Sequence, residues 1–148
     1  MSARWRLGIA AGLSAVPLVC VAADTTYDFQ VLLDDKPIGE HRFVVGGAAE
    51  TRTVLSDARF TVKLMGLTVY RYMHRATEQW RGNCLQSLVA NTDDDGTVSR
   101  VTAEAAGDAL KVVAPEGTAT IGGCAMSFAY WNPSIRQQAR LLNAQTGR

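Results

Sequence analysis

The chain has 148 residues with 15 basic and 14 acidic side chains, the size of one ordinary domain. So even a balance leaves no bulk charge by which nucleic acid or an anionic surface would be gathered. Three cysteines without a CxxC pair, and only two histidines, exclude a dithiol redox centre and leave too few donors for a zinc site.

Residues 1–23 read as a signal peptide. Arg4 and Arg6 form a basic start, an apolar run broken by Pro17 extends from Leu7 to Val21, and Val21-Ala22-Ala23 offers small residues for cleavage before Asp24. That run is shorter than the roughly 20 residues of a membrane span. Cys20 would suit lipidation, but Val19 stands where such a signal wants a small residue. The expectation is a periplasmic domain over residues 24–148, in which losing Arg4 and Arg6 from the 15 basic groups leaves 13 against 14 acidic ones. Cys84 and Cys124 then remain as the only cysteines, and an oxidising compartment predicts a disulfide between them.

In "TYDFQVLLDDKPIGEHRFVV", Tyr27, Phe29, Val31 and Leu33 alternate with Asp28 and Gln30 before a turn over Asp34 to Gly39 that is expected to contain Pro37 and Gly39. "ARFTVKL" alternates again through Ala58, Phe60, Val62 and Leu64, and Gly66 predicts a bulge or sharp bend. From Thr68 to Trp80 both faces look mixed, as in a strongly curved strand. Turn signals follow at "RGN", "DDDG", "AGD", "PEG" and "IGG", the rhythm of an antiparallel meander. Helical spacing is absent from Asp24 to Cys124. After Trp131 the pattern changes: Asn132 suits an N-cap and Pro133 the first helical position, and Ile135, Ala139 and Leu142 predict one short helix ending near Asn143. The fold class is therefore mainly β, a curved antiparallel meander, half-barrel or open barrel, with one short C-terminal helix.

"NTDDDGTV" imitates a calcium loop through Asn91, Asp93, Asp95 and Gly96, but Thr102 occupies the place of the bidentate glutamate. An Asp-Gly hairpin turn explains the same residues. His74 and Glu78, four apart on a strand, stand about 13 Å from each other, too far to share an ion, so no metal and no cofactor is expected. No G-x-S-x-G elbow or phosphate loop marks an enzyme. Tyr70, Tyr72, Trp80, Phe128, Tyr130 and Trp131 either line an apolar pocket or fill a core. Arg71, Arg75, Arg81, Arg136 and Arg140 recur around them, as a solvated face or as an anion site at a cavity mouth. The segment closing the chain reads as a lid or plug over the open side of the sheet.

The strings "FTVKLMGLTVYRYMHRATEQWRGNCLQSLVANTDDDGT" and "SFAYWNPSIRQQARLLNAQTGR" resemble a family of exported Gram-negative bacterial proteins defined as a domain of unknown function. The resemblance covers nearly all of the chain from "YDFQVLLDDKPIGEHRF" onward. It implies a curved antiparallel sheet similar in style to periplasmic lipid-carrier half-barrels, an analogy of fold that does not fix function. Members of that family continue past "LLNAQTGR" with further strands, which implies that a chain stopping at Arg148 is C-terminally truncated, with an unpaired sheet edge.

The expected function is that of a periplasmic, non-catalytic binding protein for an apolar or lipid-like ligand. The six aromatic residues would form its pocket wall. The alternative is a module that docks on an envelope protein through a sheet edge and the aromatic tail, and a small hydrolase using His74 is the third reading. No nucleic-acid partner and no membrane span are expected.

Overall fold

The computed structural model describes residues 23–148; the signal-peptide assignment lies, but for Ala23, outside the described residues. Among them, alternating apolar and polar positions form eight strands: β1 (Thr25–Leu33), β2 (Lys36–Ala48), β3 (Thr51–Leu64), β4 (Leu67–Arg81), β5 (Cys84–Asp94), β6 (Thr97–Ala106), β7 (Ala109–Ala114) and β8 (Gly117–Gly122). Each pairs antiparallel with its sequence neighbour in one sheet of order β1 to β8, with β1 and β8 left as edges. The meander is therefore open. It is mainly β, as the alternation predicts.

Successive side chains on a strand point to opposite sides, so one face carries the buried core, while the outer face mixes charged side chains with the exposed Leu55, Met73, Val89 and Val113. On the inner face Val54, Trp80, Leu85, Leu88, Val101, Leu110 and Val112 are buried, each large side chain contributing about 1.5–3 kcal/mol. The Thr68 to Trp80 stretch is cleaner than its sequence suggests: His74, Ala76, Glu78 and Trp80 all face inward and are buried, while their odd-numbered neighbours are exposed. The pattern looks mixed because two of the inward residues are polar and because the exposed Val69 and Met73 are apolar.

On the outer face one row crosses five strand pairings, Asp28, Arg42, Asp57, Arg75, Asn91 and Arg100. Arg42 donates to Asp28 at 2.5 Å, Arg75 to Asp57 at 2.9 Å and Arg100 to Asn91 at 2.9 Å. Burial pulls Asp57 toward protonation, but hydrogen bonds from Arg59 and Arg75 hold it below the ordinary carboxylate value. Such exposed pairs add little stability. Their effect is to keep this face wetted.

Two turns differ from expectation. Pro37 and Gly39 lie inside β2, and the reversal is made by Asp34 and Asp35, both in the left-handed region. Pro37 is tolerated at a register shift beside Leu32. Gly39 is required by contact, since a Cβ there would overlap the Arg59 carbonyl on β3. Gly66 marks neither a bulge nor a bend within one strand. It completes a two-residue hairpin turn with Met65, joining β3 to β4.

The segment from Gly123 onward crosses the inner face. It is pinned by the Cys84–Cys124 disulfide, by Leu85 N–H donating to the Ala125 carbonyl at 2.9 Å, and by Leu142 N–H donating to Met126 at 2.8 Å. Ala125, Met126, Ala129, Trp131 and Leu142 join the core from this side. The expected helix is much shorter than its spacing suggests. Asn132 does cap it, accepting from Ser134 N–H at 3.0 Å, but only a 3-10 turn over Pro133–Gln137 forms. Gln138 is extended and Leu142 bridges in parallel to Ser127, because burying Leu142 beside Met126 requires an extended backbone.

Candidate functional site

A cavity of about 280 Å³ lies between the inner face of β2, β3 and β4 and the crossing segment. It exists because the middle of these strands carries small residues: Ser56 opposite Ala76, and Ala58 opposite His74. The short side chains leave room beneath the segment above, which Glu78 and Tyr72 reach on either side through Ser127 and Gln145. Phe43, Phe60, Tyr72, Phe128 and Tyr130 supply aromatic wall, and His41, Ser56, His74, Glu78 and Ser127 supply polar groups.

The rings form two groups, Phe60 with Tyr72 and His74, and Phe43 with His41, Tyr130 and Phe128. Phe60 and Tyr72 stack with centroids 5.0 Å apart, and Tyr130 meets Phe43 edge-on at 6.2 Å and His41 at 5.9 Å. Tyr130 and Phe128 are themselves exposed, so they form the outer rim. Tyr72 donates its hydroxyl to Gln145 Oε1 at 3.1 Å, tying β4 to the end of the chain.

The polar groups are mostly paired with one another. His41 Nε2 lies 2.7 Å from Ser56 Oγ, and His74 Nδ1 lies 2.8 Å from Thr92 Oγ1. Burial, with a further contribution from the neighbouring His74, brings the His41 pKa down to about 4. Burial also lowers that of His74. Both imidazoles are therefore neutral near pH 7. Glu78 is 4 % exposed. Burial pushes its carboxyl up, opposed by hydrogen bonds from the Ser127 hydroxyl and from Trp80 Nε1, the latter at 2.9 Å.

Of the six aromatic residues expected to form the pocket wall, Tyr72, Phe128 and Tyr130 line the cavity. Trp80 and Trp131 pack against each other in the core beside it. Tyr70 stands further along β4, where its hydroxyl donates to Asp94 at 2.6 Å, a bond that pushes its pKa up to about 12. None of the five recurrent arginines lines this cavity, and Arg75 belongs to the outer row. His41, Phe43, Ser56 and Phe60 are lining residues that motif reading passes over, while His74 and Glu78 enter it only as a rejected metal pair and, for His74, as a hydrolase residue. The available signal is a parity rule: they share the inward alternation of strands that pairing brings side by side.

Among the described residues no group of three or more His, Cys, Asp or Glu side chains is placed to hold a metal ion. The Asp-Gly turn forms as expected, with Asp93 accepting from Gly96 N–H at 2.7 Å. No helix of the described residues is long and apolar enough to cross a membrane.

Fold and site together define a single-sheet β protein, an open meander whose inner face is strapped by the chain's own C-terminal segment. Residues 29–148 match the family described as a domain of unknown function (DUF6134), and the chain belongs to that family. No curated protein and no solved structure matches it. The match supports the family resemblance seen in the sequence, and it carries neither export nor kinship with lipid carriers.

Proposed function

We propose that this chain is a periplasmic, non-catalytic binding protein for a small apolar or lipid-like molecule held between β2, β3, β4 and the C-terminal segment. The observation that carries the reading is the aromatic-walled cavity of about 280 Å³. That volume is at the small end of ligand pockets, which run about 300–1,000 Å³. It suits one compact molecule or the end of a single acyl chain. With both histidines neutral, the favoured ligand is uncharged, carrying a hydrogen-bonding group toward Ser56 and His41. The N-terminal segment and the disulfide support export.

The Ser56–His41 contact raises a hydrolase reading, since a nucleophile and its base stand at this separation. A base brought down to about 4 has little affinity for the serine proton, however, and no side chain hydrogen-bonds its other ring nitrogen among the described residues. Binding without turnover is the better account.

Native mass spectrometry of the protein purified from its own compartment tests the proposal. A bound small molecule, or uptake of an apolar dye, is expected for the native chain and is expected to be lost when Ala76→Phe fills the cavity. Absence of both adduct and dye binding in the native protein would sink it.

A further inference from the structure

The buried carboxyl of the cavity has its hydrogen bonds met inside the protein, Glu78 through Trp80 and Ser127. His74 is different. Its side chain lines the cavity and the residue is 8 % exposed, Nδ1 is taken up by Thr92, and Nε2 has no hydrogen-bond partner among the described residues. Trp131 Nε1 is the one side-chain nitrogen or oxygen among them that is both fully enclosed and unpaired, so His74 Nε2 is open to the cavity.

The state of that nitrogen is set some distance away. A carboxylate only accepts, so Asp94 orients the Gln145 amide with Nε2 toward itself at 3.0 Å and Oε1 toward Tyr72. An amide oxygen also only accepts, which commits the Tyr72 proton to Gln145 at 3.1 Å. The Tyr72 oxygen is thereby left as an acceptor, and the Thr92 hydroxyl reaches it. With its own proton directed at Tyr72, Thr92 Oγ1 receives Nδ1–H of His74 at 2.8 Å. A neutral imidazole has one ring proton, so Nε2 presents a lone pair. Tyr70 donates to the other Asp94 oxygen at 2.6 Å and steadies the carboxylate end of the chain. His41 is not constrained in this way, because the Ser56 hydroxyl can donate to its Nε2 or accept from it.

We propose that the cavity takes a neutral hydroxyl compound, an alcohol or a phenol, whose O–H donates to His74 Nε2. This rests on the cavity being a ligand site, as proposed above, and names the class of its ligand. His41 and His74 flank Ala58, each paired with it in register. A hydroxyl set over the Ala58 methyl therefore lies between the two rings, its oxygen turned toward the His41–Ser56 pair. The apolar body packs along the wall that Phe60 and Tyr72 make, their rings parallel within 7°. An ether offers Nε2 only another lone pair. An ionised fatty acid would set its charge beside that lone pair and the Glu78 carboxyl, with no lysine or arginine lining the cavity to offset it.

Calorimetric titration of the full chain with para-propylphenol and n-hexanol, each against its own methyl ether, and with hexanoate tests this. Each hydroxyl compound is expected to bind about tenfold more tightly than its ether, and hexanoate more weakly than n-hexanol. Nitrogen NMR of the ligand-free chain is expected to show His74 protonated at Nδ1. Tyr72→Phe keeps the ring and removes the oxygen that receives the Thr92 proton. It is expected to move His74 toward the Nε2–H form and to shrink the hydroxyl preference severalfold, with unchanged circular dichroism. A preference seen with one pair only supports the proposal and decides between alcohol and phenol. Ethers bound as tightly as both hydroxyl compounds, an Nε2–H ring in the native chain, or a preference unchanged in Tyr72→Phe overturns it and leaves the cavity a binding site. No binding of any probe overturns that reading as well.

Discussion

Trp80 of β4 and Trp131 of the crossing segment meet edge to face, their ring centroids 5.5 Å apart, where the C-terminal strap is held on the sheet. Arg52 lies 5.5 Å over the Trp131 ring from β3, so one indole joins two strands to the strap. Its own Nε1 is buried without an acceptor. The residue acts by packing, not by donating.

Trp131→Ala is therefore expected to cost about 3–5 kcal/mol, and Trp131→Phe far less, since phenylalanine keeps an aromatic face and removes an unsatisfied donor. Urea unfolding of the two variants checks this. Equal losses would mean that the N–H has a partner in solution.

The disulfide closes a loop of 40 residues, for which the chain-entropy relation gives about 4 kcal/mol. Replacing both Cys84 and Cys124 with alanine is expected to lower stability by that order. Hydrogen exchange should speed first at Ala125 to Leu142, the segment the bond anchors. Uniform acceleration across β3 to β6 would argue against local release of the strap.

Glu78 carries a stability effect of definite sign. Its folded pKa is raised by burial above the ordinary value of 4.5, so its contribution is full below about 4.5 and lost as pH rises through the folded pKa. Glu78→Gln should remove this fall, leaving a flatter profile on the alkaline side while keeping an acceptor for Trp80. The check is denaturation midpoint against pH for both proteins; parallel curves would contradict the assignment.

His41 works in the opposite direction. With a folded pKa of about 4 against 6.5 unfolded, its contribution is present above about 6.5 and disappears as pH falls toward 4. The His41 ring resonances are expected to stay at neutral-imidazole positions from pH 8 down to pH 5.5. A midpoint near 6.5 would show that the cavity is wetter than its burial implies.

Strand order and class were readable because every connection is a short turn, and turn residues such as Asp95-Gly96 declare themselves locally. Gly39 was not readable in the same way: a glycine placed by an approaching carbonyl from β3 looks, in sequence, like any turn glycine. The C-terminal helix was overread because Ile135, Ala139 and Leu142 keep helical spacing, while Leu142 is claimed by Met126 and Ser127. In the candidate site, Tyr72, Phe128 and Tyr130 were legible as aromatics. His41, Ser56 and Glu78 were not, since nothing short-range distinguishes a polar residue that faces inward from one that faces water.

The sequence by itself determined a mainly β chain of consecutive hairpins, its cysteine pair and its family, because alternation, turn preference and cysteine count act over a few residues or by simple elimination. Tertiary structure alone decided which rings line a cavity and which fill the core. It also decided that two histidines and a glutamate share that cavity, and that Leu64, Met65 and Leu67 are exposed at the β3–β4 turn. Those outcomes depend on register between strands and on where the last segment crosses them, and such long-range pairings leave no periodic trace along the chain.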